Sequence, residues 1–145
     1  MSILKVCHLG HPVLRMESRR VSPDSLARAS TQKLIDDMLE TMVEYYGVGL
    51  AAPQVHESLA IAVIESNGPR GTIPLTVLVN PEVTVLDDEL IEDWEGCLSI
   101  PDFRGRVPRC RKLRVDALDR MPDLRTLTHL PEFQRYWLPP EKVNS

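Results

Sequence analysis

With 145 residues, of which 43% are hydrophobic, 26% charged and 5% aromatic, the chain is long enough to bury one core without disulfide staples and too apolar for a disordered segment. A net charge of −4 and the lack of any long Lys/Arg run argue against a nucleic-acid partner, because counterion release needs clustered basic side chains. Three cysteines, Cys7, Cys97 and Cys110, cannot all pair, which suits a reducing compartment; no stretch has the length of a signal-peptide core or a membrane span, so a cytoplasmic protein with no membrane partner is expected.

In chain order, residues 1–21 read as a short apolar stretch that turns at Gly10 and Pro12. Ser22 before Pro23 opens a helical turn, since proline is well tolerated at the first helical position. A helix is expected over 31–46, with Leu34, Met38, Met42, Tyr45 and Tyr46 at helical spacing and Asp36, Asp37, Glu40 and Glu44 on much of the remainder. Gly47 is the natural stop, because glycine accepts the left-handed backbone that ends many helices. The period then changes. Residues 59–66, 73–80 and 82–88 are rich in β-branched residues and read as strands, with Asn80 and Pro81 marking a break between the last two. A further strand is expected over 112–119, after Val107, Pro108 and Arg109. One N-terminal helix followed by several strands predicts an α+β domain with antiparallel strands rather than a βαβ array. Residues 121–145 contain Pro122, Pro131, Pro139 and Pro140 and show no sustained apolar period, so no element is assigned there.

Two short segments carry chemistry. The first, GVGLAAPQ at 47–54, follows the helix with residues small enough to let a ligand backbone approach, and ends in the amide of Gln54. Taken alone it serves equally as a helix cap and a tight turn into a strand. The second, EGCLSIP at 95–101, sets Cys97 behind Gly96. A cysteine there is a metal ligand, a nucleophile or a small buried thiol, and residue type alone does not choose among them.

In this order and at this separation the two segments resemble the first two signature motifs of the peptide deformylases. ILKVCHLGHPVLR at 3–15, LIDDMLETM at 34–42, VPR at 107–109 and RVDALD at 114–119 are also similar to that family. The likeness covers about residues 2–120, and the division expected is a deformylase-like domain over 1–120 with a divergent tail over 121–145. The resemblance implies a metal-dependent hydrolase that removes the formyl group from the N-terminal formyl-methionine of nascent proteins. The family's metal, commonly Fe2+ with Zn2+ or Ni2+ as substitutes, is held by one cysteine and two histidines. By resemblance Cys97 is the cysteine ligand, and the Gln54 amide with the Leu98 backbone N–H stabilises the oxyanion that develops when metal-bound water attacks. Gly47, Val48, Gly49, Glu95 and Gly96 match substrate-binding positions, Val48 and Gly49 pairing with the peptide as an added strand. Glu95 and Arg109 match a pair that braces the cysteine segment.

The family's third motif, His-Glu-x-x-His on a C-terminal helix, does not occur in this sequence. Where it should follow residue 120 the chain reads MPDLRTLTHLPEFQRYWLPPEKVNS, whose one histidine is His129. The C-terminal metal-binding helix is therefore expected to be absent or replaced, and the metal not stably bound. Cys7, His8 and His11 form a metal-like C-H-x-x-H cluster, but they lie in the segment that matches the family's N-terminal turn, and His56 reads as a surface residue. Three readings follow: a deformylase-like protein with little or no activity, a non-catalytic peptide-binding module, or an active enzyme whose ligands come from His129, the N-terminal histidines or a partner chain. Loss of the helix should also leave an apolar sheet face open, to be covered by Leu124, Leu127, Leu130, Phe133 or Trp137 of the tail or by self-association.

Overall fold

A computed structural model of the chain describes residues 2–68, 71–121 and 124–128. The chain enters in extended form, makes a 3-10 turn at Pro12–Leu14, and forms a short helix α1 (Pro23–Leu26) that Ser22 caps by accepting from the Ser25 N–H at 3.2 Å. Helix α2 (Ala29–Glu44) leads to strand β1 (Gly49–Ala51), a 3-10 turn at Ala52–Val55, and strands β2 (Ile61–Gly68), β3 (Gly71–Cys97), β4 (Ile100–Leu118) and β5 (Leu124–Thr128). The strands form one antiparallel five-stranded sheet in the order β1-β2-β3-β4-β5. The expected α+β class, with an N-terminal helix and antiparallel strands, is what the structure contains.

The helix packs through Ile35, Met38 and Met42 against Leu50, Ile61, Val63, Val77 and Val79, all buried in one cluster with Val6, Val21 and Leu26. Each such side chain contributes about 1.5–3 kcal/mol relative to leaving it in water. Ala62, Ile64 and Leu78 point the other way and join Ile73, Val115 and Ala117 in a second cluster. Both faces of β2 are thus covered, which explains its unbroken apolar run.

The apolar stripe of α2 is rotated from the one expected. Tyr45 and Tyr46 are exposed, while Ile35 and Asp37 lie inside. Asp37 is tolerated there because its carboxylate accepts from the Ser2 N–H at 2.8 Å and pairs with Lys33. The Lys33 hydrogen bond is the main cause that holds its pKa below the usual carboxylate value.

Asn80 and Pro81 do not separate two strands. They sit inside β3 as an irregularity, where the register against β4 shifts between Val79 and Glu82. Asn80 takes a positive φ of 52°, its side chain exchanges two hydrogen bonds of 2.8 Å with the Val21 backbone, and the bulge absorbs the N–H that Pro81 lacks. β4 begins twelve residues before the expected 112, since Ile100 is already paired with Cys97. Within 121–145, where no element was assigned, 124–128 pairs with β4 from Leu118 to Arg114. Residues 129–145, with His129, Leu130, Phe133 and Trp137, lie outside the described residues.

Candidate active site

Helix α2 ends at Glu44, two residues before the expected 46. Tyr46 takes the left-handed backbone, with φ 54°, and the Gly47 N–H returns to the Met42 carbonyl at 2.9 Å. Gly47 sits close to the second motif instead: a Cβ there would lie 2.9 Å from Cδ1 of Leu98, whose side chain would have to shift. The first motif is thereby pressed against the second.

The loop expected at 47–54 is partly a strand. Among the described residues β1 pairs only with β2, in the register Gly49 to Ile64 and Ala51 to Ala62, so it is an edge of the described sheet. Val48 accepts from the Glu65 N–H at 3.0 Å. Alternation along an antiparallel ladder then turns the N–H and C=O of Gly49 away from β2, toward the open edge. The same alternation turns the Ala51 N–H outward, where it donates to Oε1 of Gln54 at 2.9 Å.

That bond fixes the amide of Gln54 with its nitrogen facing the second motif. Nε2 donates to Oγ of Ser99 at 3.2 Å and to Sγ of Cys97 at 3.7 Å. Cys97 closes β3 and its side chain is exposed, while Leu98 is half-buried against the main core. The N-terminal segment ties both motifs together from behind: the Cys7 N–H donates to the Gln54 carbonyl at 2.7 Å and the Leu9 N–H to the Ser99 carbonyl at 2.8 Å. Ser99 and the Cys7–Leu9 backbone had no role in the sequence reading. Their part depends on contacts between segments 45 residues apart, Gln54 to Ser99, and farther, Leu9 to Ser99.

Below the cysteine, Glu95 receives Arg109 in a two-pronged ion pair, Nε to Oε1 at 3.0 Å and Nη2 to Oε2 at 2.9 Å. Both side chains are only 10% exposed. The pair links β3 to β4 two residues before the β3 end at Cys97. Gly96 stands opposite Arg104 on the same ribbon.

Among the described residues the other donor candidates do not complete a metal site with Cys97. The Cys7 thiol is buried and donates to the Pro53 carbonyl at 3.4 Å; burial, above other causes, raises its pKa. His11 accepts the Val13 N–H on Nδ1, and its ring meets that of His56 edge-on at 4.8 Å. Among the described residues no three His, Cys, Asp or Glu side chains converge as a metal site. A catalytic metal of the zinc type uses three protein ligands and an open position, and among the described residues Cys97 offers one of them.

The model of the polypeptide deformylases matches residues 3–129. The chain belongs to that family. Peptide deformylase 1 of Nitrosomonas europaea is 42% identical over 122 residues, which cover 81% of this chain and 68% of that one. The peptide deformylase of Leptospira biflexa is 40% identical over 125 residues, 82% and 70% of the two chains. Among solved structures, a class I type b peptide deformylase of Acinetobacter baumannii bound to the compound K3U superposes with a TM-score of 0.82 at 33% identity, over 91% of this chain and 88% of the other. The actinonin-bound form of that enzyme gives 0.80 at 32%, over 92% and 88%.

Proposed function

We propose that this chain is a peptide deformylase-family protein that receives the formyl-methionyl end of a nascent peptide and carries out little or no deformylation with the residues it has. The single observation that carries the reading is the Gln54–Cys97 contact beside the open edge at Gly49. It supports a peptide laid antiparallel on β1, its formyl carbonyl near the Gln54 amide. Gln54 Nε2 and the Leu98 N–H are the donors for the oxyanion; Gly47, Val48, Gly49, Glu95 and Gly96 line or brace the groove; Cys97 is the remaining metal ligand.

The family is metal-dependent. Its metal, Fe2+ by preference, would supply activated water, and two histidines with the glutamate between them complete that chemistry. The whole sequence has four histidines, at 8, 11, 56 and 129, and no His-Glu-x-x-His. General acid–base catalysis alone is worth about 10²–10⁴-fold, so loss of the glutamate is severe even before loss of the metal. The protein acts in the cytoplasm, a placement supported by its odd number of cysteines, which suits a reducing compartment. Self-association belongs to the same reading: Leu90, Trp94 and Phe103 on the β3–β4 ribbon are 63%, 57% and 73% exposed.

Calorimetric titration with an N-formyl-methionyl tripeptide tests the groove. Binding should survive and should fall at least tenfold in Gly49→Pro, which removes the outward N–H while sparing the ladder to β2. Equal binding by both proteins, or none by the parent, overturns the reading.

A further inference from the structure

Residues 2–9 form a strap that crosses α2 and then runs behind the site. The Ser2 N–H donates to Oδ1 of Asp37 and the Leu4 N–H to Oγ1 of Thr41, each at 2.8 Å. Asp37 and Thr41 stand one turn apart on α2, so the strap is fastened along one face of the helix. Farther on, the Cys7 and Leu9 N–H groups reach the carbonyls of Gln54 and Ser99. The first of these bonds has an unusual acceptor. The Asp37 side chain is a carboxylate only 6% exposed. Lys33 pairs with it, and the same ammonium lies 3.5 Å from Oγ of Ser2. Lys33 chiefly, with Ser2 adding to it, holds the Asp37 pKa down against the desolvation of burial. A carboxylate so enclosed is better matched by a second charge than by a neutral amide. Ser2 is exposed, in extended chain ahead of any helix or strand, where such a charge can be made.

We propose that the peptide bond before Ser2 is a processing site, and that the α-ammonium freed there docks on the Asp37 carboxylate and fastens the strap. Water adds across the amide, the C–N bond breaks and the carbonyl side leaves as a carboxylate. Both protons of the water end on the Ser2 nitrogen. Methionine ahead of serine suits an aminopeptidase that takes methionine before a small side chain. The neutral bond to Asp37 becomes a charge-assisted one. Lys33 is the like charge that the new ammonium meets; at 61% exposure it can turn to solvent. Because the strap also holds Gln54 and Ser99 from behind, the processing event tightens the site. This inference does not rest on formyl-peptide binding, since it needs only Ser2, Asp37 and Lys33.

The experiment has two arms. The intact mass of the chain produced in bacterial cells should lack Met1. Two cleavable fusions then release one chain that begins at Ser2 and one that begins at Met1, and urea denaturation compares them. At pH 7 and low salt the folding equilibrium constant of the Ser2 chain should be about fivefold larger. The advantage needs the ammonium form, so it should fade as pH rises past about 8, the α-amino range. Asp37→Asn should erase the difference, and Asp37→Ser serves if that variant does not fold. Met1 retained in the cell-made chain, equal constants for the two chains at pH 7, or a difference that survives in a folded Asp37 variant overturns the proposal.

Discussion

Gln54 reaches Cys97 across 43 residues of sequence, its side-chain nitrogen 3.7 Å from the sulfur, and it does so with its oxygen already committed to the Ala51 N–H. The amide therefore cannot flip without breaking a bond in the edge strand. Its donor is aimed before any ligand arrives, which is the condition for electrostatic stabilisation without reorganisation.

Gln54→Ala should loosen the joint between the two motifs. Three hydrogen bonds are lost, to Ala51, Ser99 and Cys97. At about 0.5–1.5 kcal/mol for a neutral bond, and with the sulfur contact weak, roughly 2 kcal/mol of stability should go. Urea denaturation of the two proteins measures this, and a change in the midpoint at constant slope is expected.

The Glu95–Arg109 pair should matter more than any surface pair in the molecule. Removing one partner from a buried ion pair strands the other, and the cost is about 3–5 kcal/mol. Because both side chains keep 10% exposure, Arg109→Met should fall at the low end, and the double change Glu95→Gln with Arg109→Met should recover part of the loss. A double-mutant cycle in urea gives the coupling. By contrast, Arg20→Ala should be within about 0.5 kcal/mol of the parent, since its partner Glu82 is exposed.

Gly47→Ala should separate stability from binding. The added methyl meets the free end of Leu98, which can rotate aside, so the stability cost should stay near 1 kcal/mol, the lower end for overpacking. On the proposed reading, displacing Leu98 shifts the backbone donor beside Cys97, and affinity for an N-formyl-methionyl tripeptide should drop more than tenfold. Calorimetry and thermal melting on one sample decide this.

Asp37 supplies an acid limb to the stability profile. Its folded pKa lies below the unfolded value, chiefly through the Lys33 hydrogen bond. The folded state therefore binds its proton less readily than the unfolded state, and the stabilisation is fully present above the unfolded pKa, about 4. It is lost as pH falls from there through the folded pKa. Asp37→Asn should be less stable than the parent at pH 7, and the gap should narrow below about pH 4, where the unfolded carboxylate takes its proton.

Much of this was legible in the residues. The α+β class followed from the change of apolar period after Gly47, and both motifs of the site stand in the sequence as short fixed strings. What was not legible depended on distant partners. Asp37 looked like a surface acid because its neighbours in sequence are charged, yet Ser2, 35 residues away, donates to it and lets it be buried. Tyr45 and Tyr46 completed a plausible apolar stripe but fall where the helix has already left the core. Asn80 and Pro81 carry a strong local break signal, overridden by the two bonds between Asn80 and Val21. Ser99 gave no signal of its own, since its hydroxyl acquires a role only once Gln54 is folded onto it.

The most direct measurement is hydrolysis of a formyl-methionyl peptide by the purified protein, kept anaerobic with added Fe2+ or Ni2+, beside Cys97→Ala. The account predicts no formate release above that of the Cys97→Ala control. Turnover that requires both the added metal and Cys97 would contradict it, and would mean that histidines elsewhere complete the site.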